Sequence, residues 1–294
     1  MKRNNFHTHV FRCGHAVGDE ERMVQAAIEN GLVELGFSCH IPMPRYRRHL
    51  LKGTIEERSI NNIPSFIRKL ILGGPNMRMP YSQRHIHLKE VQRVKEKYKD
   101  EIQIFQGFEA EYFEDYQDYY QELLDSNTVE YLILGHHFDR SSINERYYGR
   151  AILEDKDVLK YASQVVQALE TNLYSYVCHP DLFMIGKRTW SPACQEATTQ
   201  ICKKAKELSI PLELNSGGIR RGLREIEGVV NYPYPYDEFW KIASEIGNDV
   251  VLGIDAHFPN NFKEENYQNL ELFAKRFSLH VIENFTFRKG KSNK

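Results

Sequence analysis

The sequence predicts an α/β fold in which a parallel sheet closes into a barrel. Seven short apolar segments, rich in Val, Ile, Leu, Phe and Tyr, alternate with segments whose apolar residues recur at helical spacing. Strands that alternate with helices indicate βαβ units and therefore a parallel sheet. Seven strands favour a closed barrel, and an open doubly wound sheet is the alternative. The chain has 294 residues, which suits a single barrel domain over 1–294.

The predicted strands are recognised by their β-branched and aromatic residues and by the Gly, Pro, Asn or Ser at which many of them end. They cover residues 4–11, 32–40, 102–112, 129–138, 174–180, 210–216 and 249–258.

The predicted helices lie between these strands. Asp19 is a suitable N-cap, Glu20 and Glu21 suit the first turn, and Gly31 is a suitable stop. This helix and three later ones each carry one apolar stripe, which we interpret as a core-facing surface. The stripes are Met23, Ala26 and Ala27; Val158, Tyr161, Ala162, Val165 and Leu169; Ala197, Ile201, Ala205 and Leu208; and Leu270, Phe273, Ala274 and Phe277.

Two segments depart from this alternation. Residues 41–100 are basic, contain several prolines and a Gly73-Gly74-Pro75 break, and are predicted to form a helical excursion beside the mouth of the barrel. The last seven residues, RKGKSNK, are predicted to be a frayed tail.

Composition limits the classes of partner. The formal net charge is −1, so no overall attraction to nucleic acid or to an anionic membrane is expected. There is no apolar run of the ~18 residues that span a bilayer, and no signal-peptide pattern follows the N-terminus. The five cysteines are scattered and form no CxxC pair, so we expect reduced thiols in a cytoplasmic protein.

Residues that bind metals are concentrated at the ends of six of the seven predicted strands. Because the carboxyl ends of parallel strands open on one face of a barrel, we expect these side chains to converge there. The sixth strand ends instead at Asn215. The candidates are His7, His9, His40, Glu109, Glu111, His136, His137, His179, Asp255 and His257, and His15 lies in the loop after the first strand.

The spacing of these residues predicts a shared site. His7 and His9 lie two apart, as do Asp255 and His257, so each pair points to one side of its strand. Alternation allows only one member of the pair His136 and His137 to point inward, and the residues alone do not decide which. Glu109 and Glu111 present a similar choice. Imidazole and carboxylate without thiolate suit two or three Zn, Mn or Fe ions in a catalytic site.

Other polar residues are assigned with less support from their position. Asn215 is a candidate hydrogen-bond partner of the substrate, and Arg188 and Arg220 follow the fifth and sixth strands as candidate ligands of an anionic substrate. Arg47, Arg48, Arg150 and Arg221 are competing candidates. The four remaining histidines, which are His49, His85, His87 and His280, are predicted to be surface or loop residues.

The motifs resemble those of the polymerase and histidinol phosphatase (PHP) superfamily, in the order in which that family has them. The resemblance runs from residue 6 to about 260 and includes HTH at 7–9, GFEAEY at 107–112, GHHF at 135–138, CHPDLF at 178–183 and GIDAHFP at 253–259. SCHIPMP at 38–44 and ELNSGGIR at 213–220 are similar to segments of its monofunctional histidinol-phosphatase branch.

The resemblance implies a distorted (β/α)7 barrel with a trinuclear metal centre. It favours Glu109 over Glu111 and His137 over His136. The implied ligands of the three ions are His7, His9, Glu109 and Asp255; Glu109 as a bridge with His137 and His179; and His15, His40 and His257.

The implied reaction is hydrolysis of L-histidinol phosphate to L-histidinol and phosphate. The expected nucleophile is a metal-bound hydroxide held by Glu109, Asp255 and His137. The expected partner is therefore a small phosphorylated substrate, with neither nucleic acid nor membrane. Another small phosphate ester, such as a nucleotide, is the alternative substrate. A non-catalytic binding module is a third hypothesis, and the complete set of nine candidate ligands argues against it.

Overall fold

A computed structural model describes residues 2–57, 63–72, 78–142 and 145–290. The fold is α/β, with parallel strands that curl into a half-barrel. The strands are β1 Asn4–Asn5, β2 Glu34–Phe37, β3 Gln103–Ala110, β4 Tyr131–Leu134, β5 Leu212–Asn215, β6 Arg224–Ile226, β7 Val229–Asn231, β8 Asp249–Gly253 and β9 His280–Val281. The helices are α1 Glu20–Glu29, α2 Tyr46–Glu57, α3 Ile63–Leu72, α4 Arg84–Lys97, α5 Gln117–Asp125, α6 Asp155–Glu170, α7 Met184–Lys187, α8 Pro192–Glu207, α9 Ser216–Ile219, α10 Asp237–Ile246 and α11 Glu264–Arg276.

The parallel strands form two sheets that isolated bridges connect. The first has the order β1-β2-β3-β4 and the second β5-β8-β9. Val177 pairs in parallel with both Leu134, at the end of β4, and Leu212, at the start of β5. Thr8 pairs in parallel with Ala256, just beyond β1 and β8. The first and last strands of the predicted set therefore lie next to each other.

The strands are shorter than predicted at the ends that carry the histidines. The segment 174–180 contributes only the bridges at Val177. His179 and Asp255 have positive φ angles of 30° and 51°, in the left-handed region that strand pairing does not allow. These residues thus leave the sheet at the place where their side chains line a common cavity.

The predicted helical stripes are confirmed. The Asp19 side chain accepts a hydrogen bond from the Arg22 backbone at 2.8 Å and caps α1, while Gly31 has a φ of +74° just after its end. The stripe residues of α1, α6, α8 and α11 are buried, apart from Leu208 and Phe277, which are partly buried against the same core.

The segment 41–100 contains α2, α3 and α4, with the Gly73-Gly74-Pro75 break outside the described residues. It brings two cations into the interior. The Lys69 ammonium lies 2.8 Å from Glu145, and Arg78 is paired with Glu111, with all four side chains almost fully buried. Such ion pairs are costly to break because removing one partner leaves a buried charge.

An aromatic cluster fills the inside of the curled sheet below the histidines. Phe285 and Phe287 from the C-terminal segment meet the ring of Phe6 at centroid distances of 5.3 and 5.4 Å. Tyr131 donates a hydrogen bond to the Phe6 carbonyl at 2.8 Å. Arg288, where the tail was predicted to fray, is instead held by hydrogen bonds to Ser175 and other residues, and 291–294 lie outside the described residues.

The antiparallel hairpin β6-β7 was not predicted. Its turn residues Glu227 and Gly228 have φ angles of 52° and 79°, as two-residue hairpin turns with a matching twist require. Among the described helices, none is both long and apolar enough to cross a membrane.

Candidate metal centre

The predicted metal-binding residues surround one cavity of about 230 Å³ at the carboxyl ends of the parallel strands. We call this the histidine cavity. Eight of the nine candidates line it, and the ninth, His7, lies beneath them. The other lining residues are Tyr147, Gly149, Arg150, Leu182, Arg221 and Tyr234.

Glu109 stands at the centre of the cluster, and its two carboxylate oxygens face different imidazoles. Oε2 lies 3.4 Å from Nε2 of both His7 and His9 and 2.9 Å from Nδ1 of His40. Oε1 lies 3.2 Å from Nε2 of His179 and 3.5 Å from Nε2 of His137. A carboxylate that lies between two sets of candidate ligands can bridge two metal ions, with one oxygen facing each.

Asp255 joins the first of these sets to the outer histidines. Its Oδ1 lies 3.4 Å from Nε2 of both His7 and His9 and 3.3 Å from Nδ1 of His257. The ring of His257 in turn lies 4.6 Å from that of His15, centroid to centroid. His7, His9 and Asp255 form one group of atoms close enough to hold an ion, and His9, His15 and His257 form another.

The unpaired atoms of the cluster fit a cation. Nε2 of His7, Nε2 of His9, Nδ1 of His40 and Oε2 of Glu109 are all buried and have no hydrogen-bond partner. Buried polar atoms without partners cost free energy, so four of them facing one another need a further group. Imidazole nitrogens and carboxylate oxygens are ligands of Zn, Mn and Fe.

Charge coupling within the cluster is strong. Burial disfavours ionised Glu109, but His40, His137 and His7 hold its pKa well below the usual range. Burial also disfavours charged His9, yet the nearby Asp255 carboxylate and the contact with Cys13 raise its pKa to about 9. Binding of a divalent ion to such a cluster therefore displaces protons from imidazole nitrogens.

A second layer of carboxylates orients the imidazoles, and sequence reasoning missed its main member, Glu213. Its Oε1 lies 2.8 Å from Nδ1 of His7, and its Oε2 accepts hydrogen bonds from the His179 backbone and from Asn215. Nε2 of His7 is therefore left to face Glu109. Gly253 makes room for this side chain, because a Cβ there would lie 1.9 Å from Oε1 of Glu213.

Glu111 orients His137 in a similar way. Its Oε1 lies 3.1 Å from Nδ1 of His137, and its Oε2 accepts hydrogen bonds from the backbone of His137 and Phe138. Burial raises the pKa of Glu111, but Arg78 and His137 hold it below the usual value. His136 points away from the cavity and bonds Gln164 at 3.1 Å. In each of the two pairs that the sequence left undecided, one member lines the cavity. These members are Glu109, rather than Glu111, and His137, rather than His136.

We expect the substitution Glu213→Gln to weaken metal binding by about 10- to 100-fold, because the amide cannot fix His7 and the His179 backbone together. The affinity is measured by competition with a chelator. Glu245→Gln, at an exposed position of α10, is the matched control. Wild-type metal affinity in Glu213→Gln would contradict the orienting role.

The candidate substrate-binding residues are placed differently from the expectation. The Asn215 side chain donates a hydrogen bond to Glu213 and accepts one from the Gly217 backbone amide, so it caps α9. Arg220 donates to the carbonyls of Ile254 and Asp255, at 2.7 and 2.9 Å, and thereby braces the end of β8.

The arginines that line the histidine cavity are two of the competing candidates, Arg150 and Arg221. Arg188 lines a different pocket, while Arg47 and Arg48 lie on α2 and do not line the cavity. The prediction that His87 is a surface or loop residue is wrong. His87 is fully buried in α4, and its Nδ1 lies 2.7 Å from Oε1 of Glu20.

The fold and this cluster define a class of protein: an α/β enzyme whose parallel strands carry, at their carboxyl ends, residue types suited to a catalytic metal site. The chain belongs to the PHP domain family, whose model matches residues 5–217.

One curated relative and two solved structures are similar to this chain. A curated protein of Deinococcus radiodurans named "Probable histidinol-phosphatase" is 24% identical over 264 residues, covering 86% of this chain and 85% of the relative. The crystal structure of hisK from Listeria monocytogenes superposes with a TM-score of 0.69 at 20% identity, covering 90% of this chain and 99% of that chain.

A further structure is the histidinol phosphate phosphatase of Lactococcus lactis, complexed with Zn, L-histidinol and phosphate. It has a TM-score of 0.62 at 15% identity and covers 100% of this chain and 99% of that chain. At these identities the structures show a shared fold.

Proposed function

We propose that this chain is a metal-dependent phosphate monoester hydrolase that converts L-histidinol phosphate to L-histidinol and phosphate. The observation that carries the proposal is Glu109, whose two oxygens face separate groups of imidazoles inside one cavity. The names of the relatives support the substrate, and the Lactococcus lactis enzyme holds Zn, L-histidinol and phosphate.

We also propose the finer architecture, a distorted barrel of seven strands. The bridges at Val177 and between Thr8 and Ala256 support it, since they link the two sheets on both sides. The proposed centre has two or three ions. Its proposed ligand groups are His7, His9, Glu109 and Asp255; Glu109, His137 and His179; and His15, His40 and His257.

Divalent ions bound by these groups would supply Lewis acidity to the phosphoryl oxygens and would lower the pKa of water toward neutrality. The protein positions the reactants around them. Glu109 and Asp255 stay ionised within the cluster, so they present negative charge to cations at the base of the cavity. Glu213 and Glu111 fix the imidazole orientations and so hold the site in one geometry.

We propose that Arg150 and Arg221 bind the phosphate from the open side of the cavity. Each guanidinium lies over an aromatic ring that also lines the cavity. Cζ of Arg150 is 5.4 Å from the ring centroid of Tyr147, and Cζ of Arg221 is 5.9 Å from that of Tyr234. Stacking restricts the guanidinium, which lowers the entropy lost when it binds an anion. The same two rings give a flat, apolar surface for the organic part of the substrate.

The substitution Arg221→Gln is expected to lower kcat/KM by about 10- to 100-fold, mainly through KM, because a charge-assisted hydrogen bond to phosphate is worth ~1.5–3 kcal/mol. The measurement is steady-state phosphate release. Arg48→Gln, an exposed arginine of α2, is the control. An equal loss in both variants, or no loss in Arg221→Gln, would exclude this role.

The proposed function is tested by phosphate release from L-histidinol phosphate by metal-loaded protein, with p-nitrophenyl phosphate and a nucleoside monophosphate as competitors. We expect kcat/KM of at least roughly 10⁴ M⁻¹s⁻¹ for L-histidinol phosphate, well above both competitors, and loss of activity with a chelator. A preference for another ester would support the hydrolase activity but would reject L-histidinol phosphate as the substrate. Chelator-resistant activity would reject the metal dependence.

A further inference from the structure

A second cavity lies beside the histidine cavity and has a different chemistry. It measures about 180 Å³ and is lined by residues 184, 185 and 188–190 and by the hairpin β6-β7 with the segment that follows it. We call it the hairpin pocket. The segment 232–236 separates the two cavities, with Tyr234 on the wall of the histidine cavity and Tyr236 on the wall of the hairpin pocket.

One side of the hairpin pocket is aromatic. The rings of Trp190 and Tyr236 are stacked with centroids 5.7 Å apart and an interplanar angle of 6°. Their position is fixed from behind, since the Tyr236 backbone donates to the buried Asp181 carboxylate at 2.7 Å. A rigid, flat, apolar surface of this kind suits the ring of a small molecule.

The lining of the pocket also includes four charged side chains, two arginines and two glutamates. Arg188 and Arg224 form no side-chain hydrogen bond or ion pair with any residue that the structure describes. Glu227 is likewise without a partner there, and Glu238 accepts only a 3.5 Å hydrogen bond from Asn231. Arg188, Arg224 and Glu227 are exposed to solvent at the rim of the pocket, so they are accessible to a ligand that carries charges of both signs, whereas a phosphate dianion would meet the two carboxylates.

Arg188, which lines the hairpin pocket, has a strained backbone conformation. Its φ and ψ of 69° and −50° are those of a γ-turn that is rare for a residue with a side chain, and the Thr189 amide closes this turn on the Lys187 carbonyl at 2.8 Å. Such conformations persist where the surrounding structure imposes them, often at ligand sites. Here the strained turn places an arginine on the pocket wall.

We propose that the hairpin pocket is a second small-molecule site, which binds an amino acid with a flat ring. The ring lies against Trp190, the carboxylate lies between Arg188 and Arg224, and the ammonium faces Glu227. The volume of about 180 Å³ suits a ligand with one small ring system. This site goes beyond the proposed hydrolase function and does not depend on it.

The test is calorimetric titration of the full-length protein with L-histidine and with L-phenylalanine. We expect saturable binding of at least one of them, one per chain. The matching amide, which keeps the ring and the ammonium but lacks the carboxylate, should bind at least tenfold more weakly. Arg224→Gln should weaken binding of the amino acid at least tenfold, while Arg221→Gln, on the wall of the histidine cavity, should leave it unchanged.

Three results would overturn the proposal. The first is no saturable binding of either amino acid at millimolar concentration. The second is equal affinity in Arg224→Gln and in the wild-type protein. The third is loss of binding in Arg221→Gln instead, which would place the ligand in the histidine cavity. Because binding is measured without turnover, these outcomes are independent of whether L-histidinol phosphate is the substrate.

Discussion

Glu109→Gln is expected to remove at least two ions at once and to lower kcat by about a thousandfold or more. The amide keeps the size of the side chain but presents only one oxygen, so it cannot face both imidazole groups with negative charge. A thousandfold loss corresponds to about 4 kcal/mol of transition-state stabilisation. Metal content is measured by elemental analysis of the desalted protein, and kcat by phosphate release.

The control for this substitution is Glu245→Gln, which makes the same chemical change on the exposed face of α10. It should keep wild-type metal content and rate. Loss of one ion with retention of the other would show that Glu109 serves a single ion. Full metal content with full activity would contradict the bridging role altogether.

Gly135→Ala is expected to disrupt the same carboxylate without altering any candidate ligand. A Cβ at this position would lie 1.8 Å from Oε1 of Glu109, closer than any real contact, so Glu109 must move. Insertion of a methyl group into a closely packed site costs ~1–3 kcal/mol and displaces its neighbours. We expect kcat/KM to fall at least a hundredfold, with reduced metal content.

Gly247→Ala separates this local effect from general destabilisation. Gly247 has a φ of +76° after α10 and nothing within 4 Å of an added Cβ. Alanine in that left-handed conformation costs ~1–2 kcal/mol of folding stability but should leave metal content unchanged. Comparable metal loss in both variants, at matched folded fractions, would show that the Gly135 effect is not specific to Glu109.

The positions of the metal-candidate residues could be predicted because they follow from the sheet itself. Parallel strands open on one face, so histidines at the ends of separate strands, such as His9 and His40, had to converge. Strand boundaries were predicted less well. The backbone of His179 and Asp255 turns out of the strand conformation, and a pattern of apolar residues does not register a local change in φ.

The supporting residues could not be predicted, because their roles rest on contacts between distant parts of the chain. Glu213 acts on His7, 206 residues away, and reads in the sequence as one residue of a buried strand. Arg220 and Arg221 are adjacent and chemically identical, yet one braces the backbone of β8 and the other lines the cavity. Only the orientation of their side chains separates them.

The central claim, that Glu109 bridges ions held by histidines from several strand ends, is tested most directly by anomalous diffraction from crystals grown with Zn²⁺. We expect at least two anomalous peaks in the histidine cavity. One should be bound by Oε2 of Glu109 with His7 and His9, and another by Oε1 with His137 and His179. A single peak that Glu109 does not contact, or no peak in a crystal soaked with excess Zn²⁺, would contradict the account.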